Sequence, residues 1–215
     1  MLFTTATFVF LYLPAVLVGY FVFGRRSGTL AAAWLFAASV FFYGYWMPEF
    51  TLLLLGSIAV NFAVGGRIGQ ALAGAGPGGR PVAASRWLTA GIVFNLGLLA
   101  YFKYANFFVD NLNAVLGTEW SPGRIVLPIG ISFYTFTQIA FLVDTWQGKV
   151  KEYRPVHYGL FVTYFPHLVA GPVLHHAQMM PQFTNPAVYR FDSGRFLAGS
   201  LVAAGSACHS AGHPL

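Results

Sequence analysis

The run from Leu2 to Phe23 contains no charged residue, and five more apolar runs follow it with almost none. At ~1.5 Å per residue such a run reaches about 33 Å, enough to cross the ~30 Å hydrocarbon core of a bilayer. Only 8% of the 215 residues are charged and 57% are hydrophobic. A soluble domain carries about 25% charge because water covers it, so lipid must cover much of this chain. The expected fold is an all-α polytopic membrane protein of about six transmembrane helices, with the bilayer as its first partner.

The first run is expected to stay as a membrane anchor and not to be cleaved as a signal: no basic region precedes it, and Arg25 and Arg26 follow it where a small-residue cleavage site would stand. Gly28 to Trp46 is the second run. Met47-Pro48-Glu49 turns the chain, with Tyr43, Tyr45 and Trp46 suited to an interfacial aromatic belt. Phe50 to Gly66 is the third run. Residues 67–86, rich in Gly, Pro and small side chains, are expected to form a linker. Trp87 to Phe108 is the fourth run, with Lys103 placed to snorkel to the interface. Asp110 to Arg124 reads as a polar loop, Ile125 to Val143 as the fifth run, Asp144 to Arg154 as a mixed-charge loop, and Val156 to Leu174 as the sixth run. Asp144 is expected to mark a helix end.

Charge placement orients these runs. Alternating loops put Arg25, Arg26, Arg67, Arg80, Arg86, Lys149, Lys151 and Arg154 on one side. The other side holds Glu49, Asp110, Glu119, Arg124 and Lys103. The first set is expected in the cytoplasm, which puts the N-terminus outside. The formal net charge of +6 is thereby a topological signal. With no basic stripe present, nucleic acid is not an expected partner.

Chemistry-bearing motifs are few. One cysteine, Cys208, rules out an intrachain disulfide framework. No phosphate-cradling glycine loop, nucleophile elbow or zinc-protease signature is present. His175 and His176 are neighbours whose side chains leave a helix in different directions, so no metal site is expected. The sixth run is the exception. It contains Pro166 and then Gly171-Pro172, which predicts a broken backbone at membrane depth. Such backbone is tolerated where protein buries it or where it lines a watery cavity. Phe165, Pro166, His167, Gly171 and Pro172 are therefore the candidate lining of a substrate channel. A histidine there can also serve only to fix packing.

LPIGISFYTFTQIAFLVDTWQGKVKEY, from Leu127 to Tyr153, and HYGLFVTYFPHLVAGPVLHHAQMMPQF, from His157 to Phe183, strongly resemble the membrane-bound O-acyltransferase family. The likeness is to the bacterial branch that acetylates alginate and other extracellular polysaccharides. NLGLLAYFKYANFF, from Asn95 to Phe108, and the N-terminal runs fit as well, so the resemblance covers residues 1–183. It implies acyl transfer to a hydroxyl of an extracytoplasmic polysaccharide, from a cytoplasmic-side donor such as acetyl-CoA or an acyl carrier, within the bacterial inner membrane. It leaves room for acyl-donor and periplasmic partner proteins and implies no bound cofactor. The catalytic histidine of the family lies on a later helix, so no residue here is expected to be catalytic.

Residues 184–215 depart from the family pattern. Their ending, CHSAGHPL, suggests a frameshift, a premature stop or an incomplete reading of the gene. The expected organisation is thus the N-terminal part of a transmembrane domain, 1–183, followed by a divergent tail. Two other readings stand beside acetyl transfer: D-alanyl transfer to teichoic acid, and a non-catalytic scaffold or transporter fragment.

Overall fold

The computed structural model describes residues 6–75, 81–117, 125–150 and 153–164. Among them the chain forms six α-helices: α1, Leu13–Gly24; α2, Gly28–Trp46; α3, Pro48–Ala73; α4, Val82–Leu116; α5, Ile131–Trp146; and α6, Pro155–Thr163. Of these, α2, α3 and α4 are long and apolar enough to cross a membrane. The protein is an all-α membrane protein. A π-helical turn, Phe8–Tyr12, precedes α1, and the Leu13 N–H bonds back to the Phe8 carbonyl. Pro14 explains that widened turn, because its ring crowds the carbonyl four residues earlier and it has no N–H to give.

Successive helices run antiparallel. The Tyr12 hydroxyl donates to the Ala38 carbonyl at 2.7 Å and the Trp34 indole N–H to the Val16 carbonyl at 3.0 Å, so α1 lies head to tail on α2. Between α3 and α4, Asn61 meets Asn95, and the Arg67 guanidinium sits 5.7 Å over the Trp87 ring. α5 packs on both: a Cβ added at Gly65 would lie 2.6 Å from Phe141, and one at Gly91 would lie 2.5 Å from Leu142. These close approaches explain glycines inside apolar helices, where they let backbones come together. α6 returns beside α2, with Gly159 against the Phe36 ring. The main core joins Tyr43, Leu54, Ile58, Phe141, Tyr158 and Phe161. A smaller cluster of Phe8, Tyr12, Val16, Ala38 and Phe42 seals α1 to α2.

A buried amide cluster crosses the middle of α3, α4 and α5. Asn61 Nδ2 shares its two hydrogens among three acceptors, Gln138 Oε1 at 2.6 Å, the Ser57 carbonyl at 2.9 Å and Asn95 Oδ1 at 3.2 Å. Asn95 Nδ2 returns a bond to Asn61 Oδ1 at 2.6 Å and another to the Gly91 carbonyl at 2.7 Å. Gln138 Nε2 donates to Ser57 Oγ at 3.0 Å, and that hydroxyl donates to the Leu54 carbonyl at 2.8 Å. Each carboxamide thus engages a neighbouring helix, and no helix of the three can slide or rotate without breaking two or more bonds.

Several element boundaries differ from the sequence expectation. The linker expected over 67–86 is largely helical, since α3 continues to Ala73 and α4 begins at Val82. Packing supplies the reason: Gly69 receives the Tyr153 hydroxyl, 2.9 Å from where its Cβ would be, so this glycine serves a contact and does not end the helix. Half of the polar loop expected from Asp110 to Arg124 is also helical. α4 runs to Leu116 and stops at Gly117, whose φ of 62° gives the left-handed C-terminal turn. At 35 residues, or about 52 Å, α4 exceeds the bilayer core and must tilt or project from it. Its flank carries exposed Val93, Phe107, Phe108 and Val115, a surface suited to lipid. Lys103 is exposed on it, with its ammonium 5.6 Å from the Tyr104 ring centre.

The fifth helix starts at Ile131, later than the expected Ile125, because Pro128 and left-handed Gly130 (φ 76°) form the turn before it. Asn106 fixes that approach, exchanging two hydrogen bonds with Ile125 at 2.7 and 3.0 Å. Tyr43, expected in the aromatic belt, is buried between helices, whereas Tyr45 and Trp46 are exposed as a belt requires.

Asn61→Leu or Asn95→Leu should each destabilise the bundle by about 1–3 kcal/mol, since each strands a buried amide. The double variant should cost less than the sum. Detergent-unfolding titrations of the four proteins check this, and strict additivity would show that the two amides are not coupled. Gly65→Ala pushes its methyl into Phe141, whose ring centre is 4.2 Å from that of Tyr158. An overpacking loss of about 1–3 kcal/mol is expected, and the same titration measures it.

Candidate functional interior

α6 begins where its sequence demands. Arg154 is the extended N-cap residue, and Pro155 occupies the first helical position, where a missing N–H costs nothing. Every residue from His157 to Thr163 is buried, as befits a helix surrounded by others. It then stops: Tyr164, at φ −51° and ψ 106°, has left helical geometry. Nine residues span only about 14 Å, less than half the bilayer core. A helix starting at one face of the membrane therefore ends within its depth, and its last carbonyls need partners that lipid does not supply. The break expected from Pro166 is already under way two residues ahead of it.

The five channel candidates, Phe165, Pro166, His167, Gly171 and Pro172, lie outside the described residues, as do His175, His176, Cys208 and the expected boundary at 183/184. What the structure places is the helix that precedes them in the chain, α6, and the helices around it. Ser39 and Tyr43 stand one helical turn apart on α2, Tyr134 and Thr135 in the first turn of α5, and Tyr158 on α6. All five are buried, and among the described residues their hydroxyls have no hydrogen-bond partner. Gly159 lies level with Phe36 on α2, so α6, running parallel to α2, ends near the level of Ser39 and Tyr43. The Tyr43 and Tyr134 hydroxyls lie within electrostatic reach of one another. The hydroxyls of Ser39, Tyr43, Tyr134 and Thr135 therefore lie toward the end of α6, and that of Tyr158 in its first turn.

At the other end of α6, His157 is buried at its first turn, and Asp144 is buried in the last turn of α5. Asp144 thus sits near a helix end, as expected, but inside the bundle. Among the described residues no three His, Cys, Asp or Glu side chains gather as a metal site would need.

Two kinds of buried polar residue can thus be told apart. The amides of Asn61, Asn95 and Gln138 bond one another and lock helices. The hydroxyls near the end of α6 are not so engaged and suit a changing polar partner. Sequence reading had singled out neither group apart from Tyr43. The available signal for the first was one carboxamide near the middle of each of three apolar runs, where an amide is costly unless a neighbouring helix receives it. For the hydroxyls there was no such signal, because Ser, Thr and Tyr are common in apolar helices.

Comparison with known proteins places this architecture. The chain is 36% identical over 211 residues to the peptidoglycan O-acetyltransferase of Helicobacter pylori, covering 85% of this chain and 38% of that protein. It is 40% identical over 208 residues to the probable alginate O-acetylase AlgI of Pseudomonas aeruginosa, covering 93% of this chain and 38% of the relative. The corresponding protein of Azotobacter vinelandii is 40% identical over 210 residues, covering 94% of this chain and 40% of the relative. The chain therefore spans about two-fifths of the length of the curated relatives it matches. No family profile and no solved structure matches it. Over the helices it shares with these longer proteins, of which it corresponds to the N-terminal part, the chain belongs to the membrane-bound O-acyltransferase family.

Proposed function

We propose that this chain supplies the first helices of an enzyme that transfers acetyl groups to hydroxyls of an extracytoplasmic polysaccharide such as alginate. The observation that carries the proposal is 40% identity to an alginate O-acetylase across 93% of the chain. The relatives are named for acetyl transfer to alginate or peptidoglycan, which supports acetyl over D-alanyl transfer and a catalytic assembly over a scaffold. In this reading the acyl donor, acetyl-CoA or an acyl carrier, is used from the cytoplasmic side of the inner membrane. The acceptor waits outside, where periplasmic proteins could present it.

The proposed mechanism divides the labour. A histidine with a pKa near neutrality would take the proton from the acceptor hydroxyl as it attacks the acyl carbonyl. By the family resemblance that histidine belongs to a helix beyond the matched residues. This chain contributes the wall of the passage: the end of α6 and the segment through Phe165, Pro166, His167, Gly171 and Pro172, which would orient substrates and exclude lipid. The amide cluster would hold α3, α4 and α5 in place around it.

His167→Ala, made at the equivalent position of a full-length relative, should lower polysaccharide acetylation by up to about a hundredfold, the scale expected when a substrate is misplaced without losing the catalytic group. Unchanged acetylation at normal expression would remove His167 from the passage. The orientation is tested by single cysteines in a Cys208→Ser background. Ser27→Cys should react with an impermeant maleimide only after the inner face is opened, and Met47→Cys should react in intact spheroplasts. The opposite pattern would invert the topology.

A further inference from the structure

We propose that Ser39, Tyr43 and Tyr134 form a hydroxyl-lined subsite, at the end of α6, for the neutral hydroxyl edge of the acceptor sugar. Its assignment to the acceptor rests on the acetyl-transfer reading; the subsite itself rests on geometry. Phe36, Ser39 and Tyr43 follow one another at three and four residues, which puts them on one face of α2. On that face Phe36 meets Gly159 of α6, and the two helices run in the same direction. From Gly159 to Thr163, where α6 ends, the helix advances ~6 Å, while from Phe36 to Tyr43 α2 advances ~10.5 Å. Ser39 therefore stands level with the last turn of α6, and Tyr43 about 4.5 Å beyond its end. The Tyr134 hydroxyl arrives from α5, within electrostatic reach of the Tyr43 hydroxyl.

Ser39, Tyr43 and Tyr134 are only 1%, 3% and 1% exposed, and among the described residues their hydroxyls have no hydrogen-bond partner. A buried hydroxyl left unpaired is costly, so three of them around one helix end mark a place for a polar guest. Elsewhere the bundle pairs its polar groups, as Asn61 does with Asn95 and Gln138, and Tyr12 with the Ala38 carbonyl. Hydroxyls both donate and accept, which matches them to the hydroxyls of a sugar. A carboxylate fits poorly. Among the described residues no Lys or Arg is buried, and the carbonyl end of α6 presents partial negative charge at this level. The buried ionisable side chains Asp144 and His157 lie at the opposite end of α6. Tyr43 stands four residues before Met47 and Tyr134 four after Gly130, both turns of the side on which the acceptor is proposed to wait. The tyrosines thus lie about 6 Å below those turns, within reach of a sugar entering from that side.

The test uses the full 215-residue chain in phosphatidylcholine nanodiscs, with saturation-transfer NMR of an alginate tetrasaccharide and of its neutral, carboxyl-reduced counterpart. Both should bind, the neutral sugar at least as tightly as the charged one. Tyr43→Phe and Tyr134→Phe each remove a single oxygen and should weaken both sugars about tenfold, the scale of one buried hydrogen bond. Neither change takes a partner from the protein, so neither should lower the unfolding temperature, and a rise is expected. Tyr12→Phe, which loses its bond to Ala38, should lower that temperature and marks what a structural hydroxyl does. Tyr45→Phe removes an exposed hydroxyl from the same end of α2 and should change binding by less than about twofold. Four results overturn the subsite: unchanged binding in both tyrosine variants, a lowered unfolding temperature in either, a more than tenfold preference for the charged sugar, or binding of neither sugar by the wild type. A full-length relative that transfers no acetyl group to alginate overturns the reading of function instead, while the losses in Tyr43→Phe and Tyr134→Phe still support a sugar site.

Discussion

The hydrogen bonds joining Asn61, Asn95 and Gln138 are the constraint on which the remaining packing depends. Between helices in lipid there is little hydrophobic force to align one apolar surface with another, because acyl chains are as apolar as leucine. Directional bonds between amides therefore set the register of α3, α4 and α5, and close van der Waals contact follows. Gly65 and Gly91 become useful only in that register, where they receive Phe141 and Leu142. The rings of Phe141 and Tyr158 pack at a tilt with their centres 4.2 Å apart, carrying the arrangement on to α6.

α6 is placed by this core on one side and by α2 on the other, and that double support lets it be short. A nine-residue helix could not persist alone; here its residues from His157 onward are enclosed by protein. Enclosure also makes the break tolerable. Backbone that leaves helical geometry at Tyr164 would be very costly against lipid, yet beside buried hydroxyls such as those of Tyr43 and Tyr134 it has polar company.

The charge distribution adds a second layer of order. Arg25, Arg26, Arg67, Arg86 and Arg154 lie on the helix ends and turns of one side of the antiparallel bundle, and Glu49 and Asp110 toward the other. Where such a cation meets an aromatic face, as Arg67 meets Trp87, it stabilises a hairpin end. At the parallel starts of α2 and α6, Arg154 donates to Thr29 and ties one helix start to the other.

Sequence alone determined the membrane character, the number and order of the helices, and the break in the sixth run, because hydropathy and proline act locally and need no partner. It also carried the family, through the stretches from Leu127 to Tyr153 and from His157 to Phe183. Tertiary structure decided what local rules could not. Gly69 looked like a linker signal but is a contact point inside α3, since what fills the space beside it, the Tyr153 hydroxyl, comes from far along the chain. Tyr43 looked interfacial but is buried, since its neighbours come from elements far along the chain. Arg154 and Thr29, 125 positions apart in the chain, read as separate topological signals until the return of α6 beside α2 brought them together. The amides of Asn61, Asn95 and Gln138 were in plain view, but their meaning depends on three helices facing one another, and that is a property of the assembled bundle.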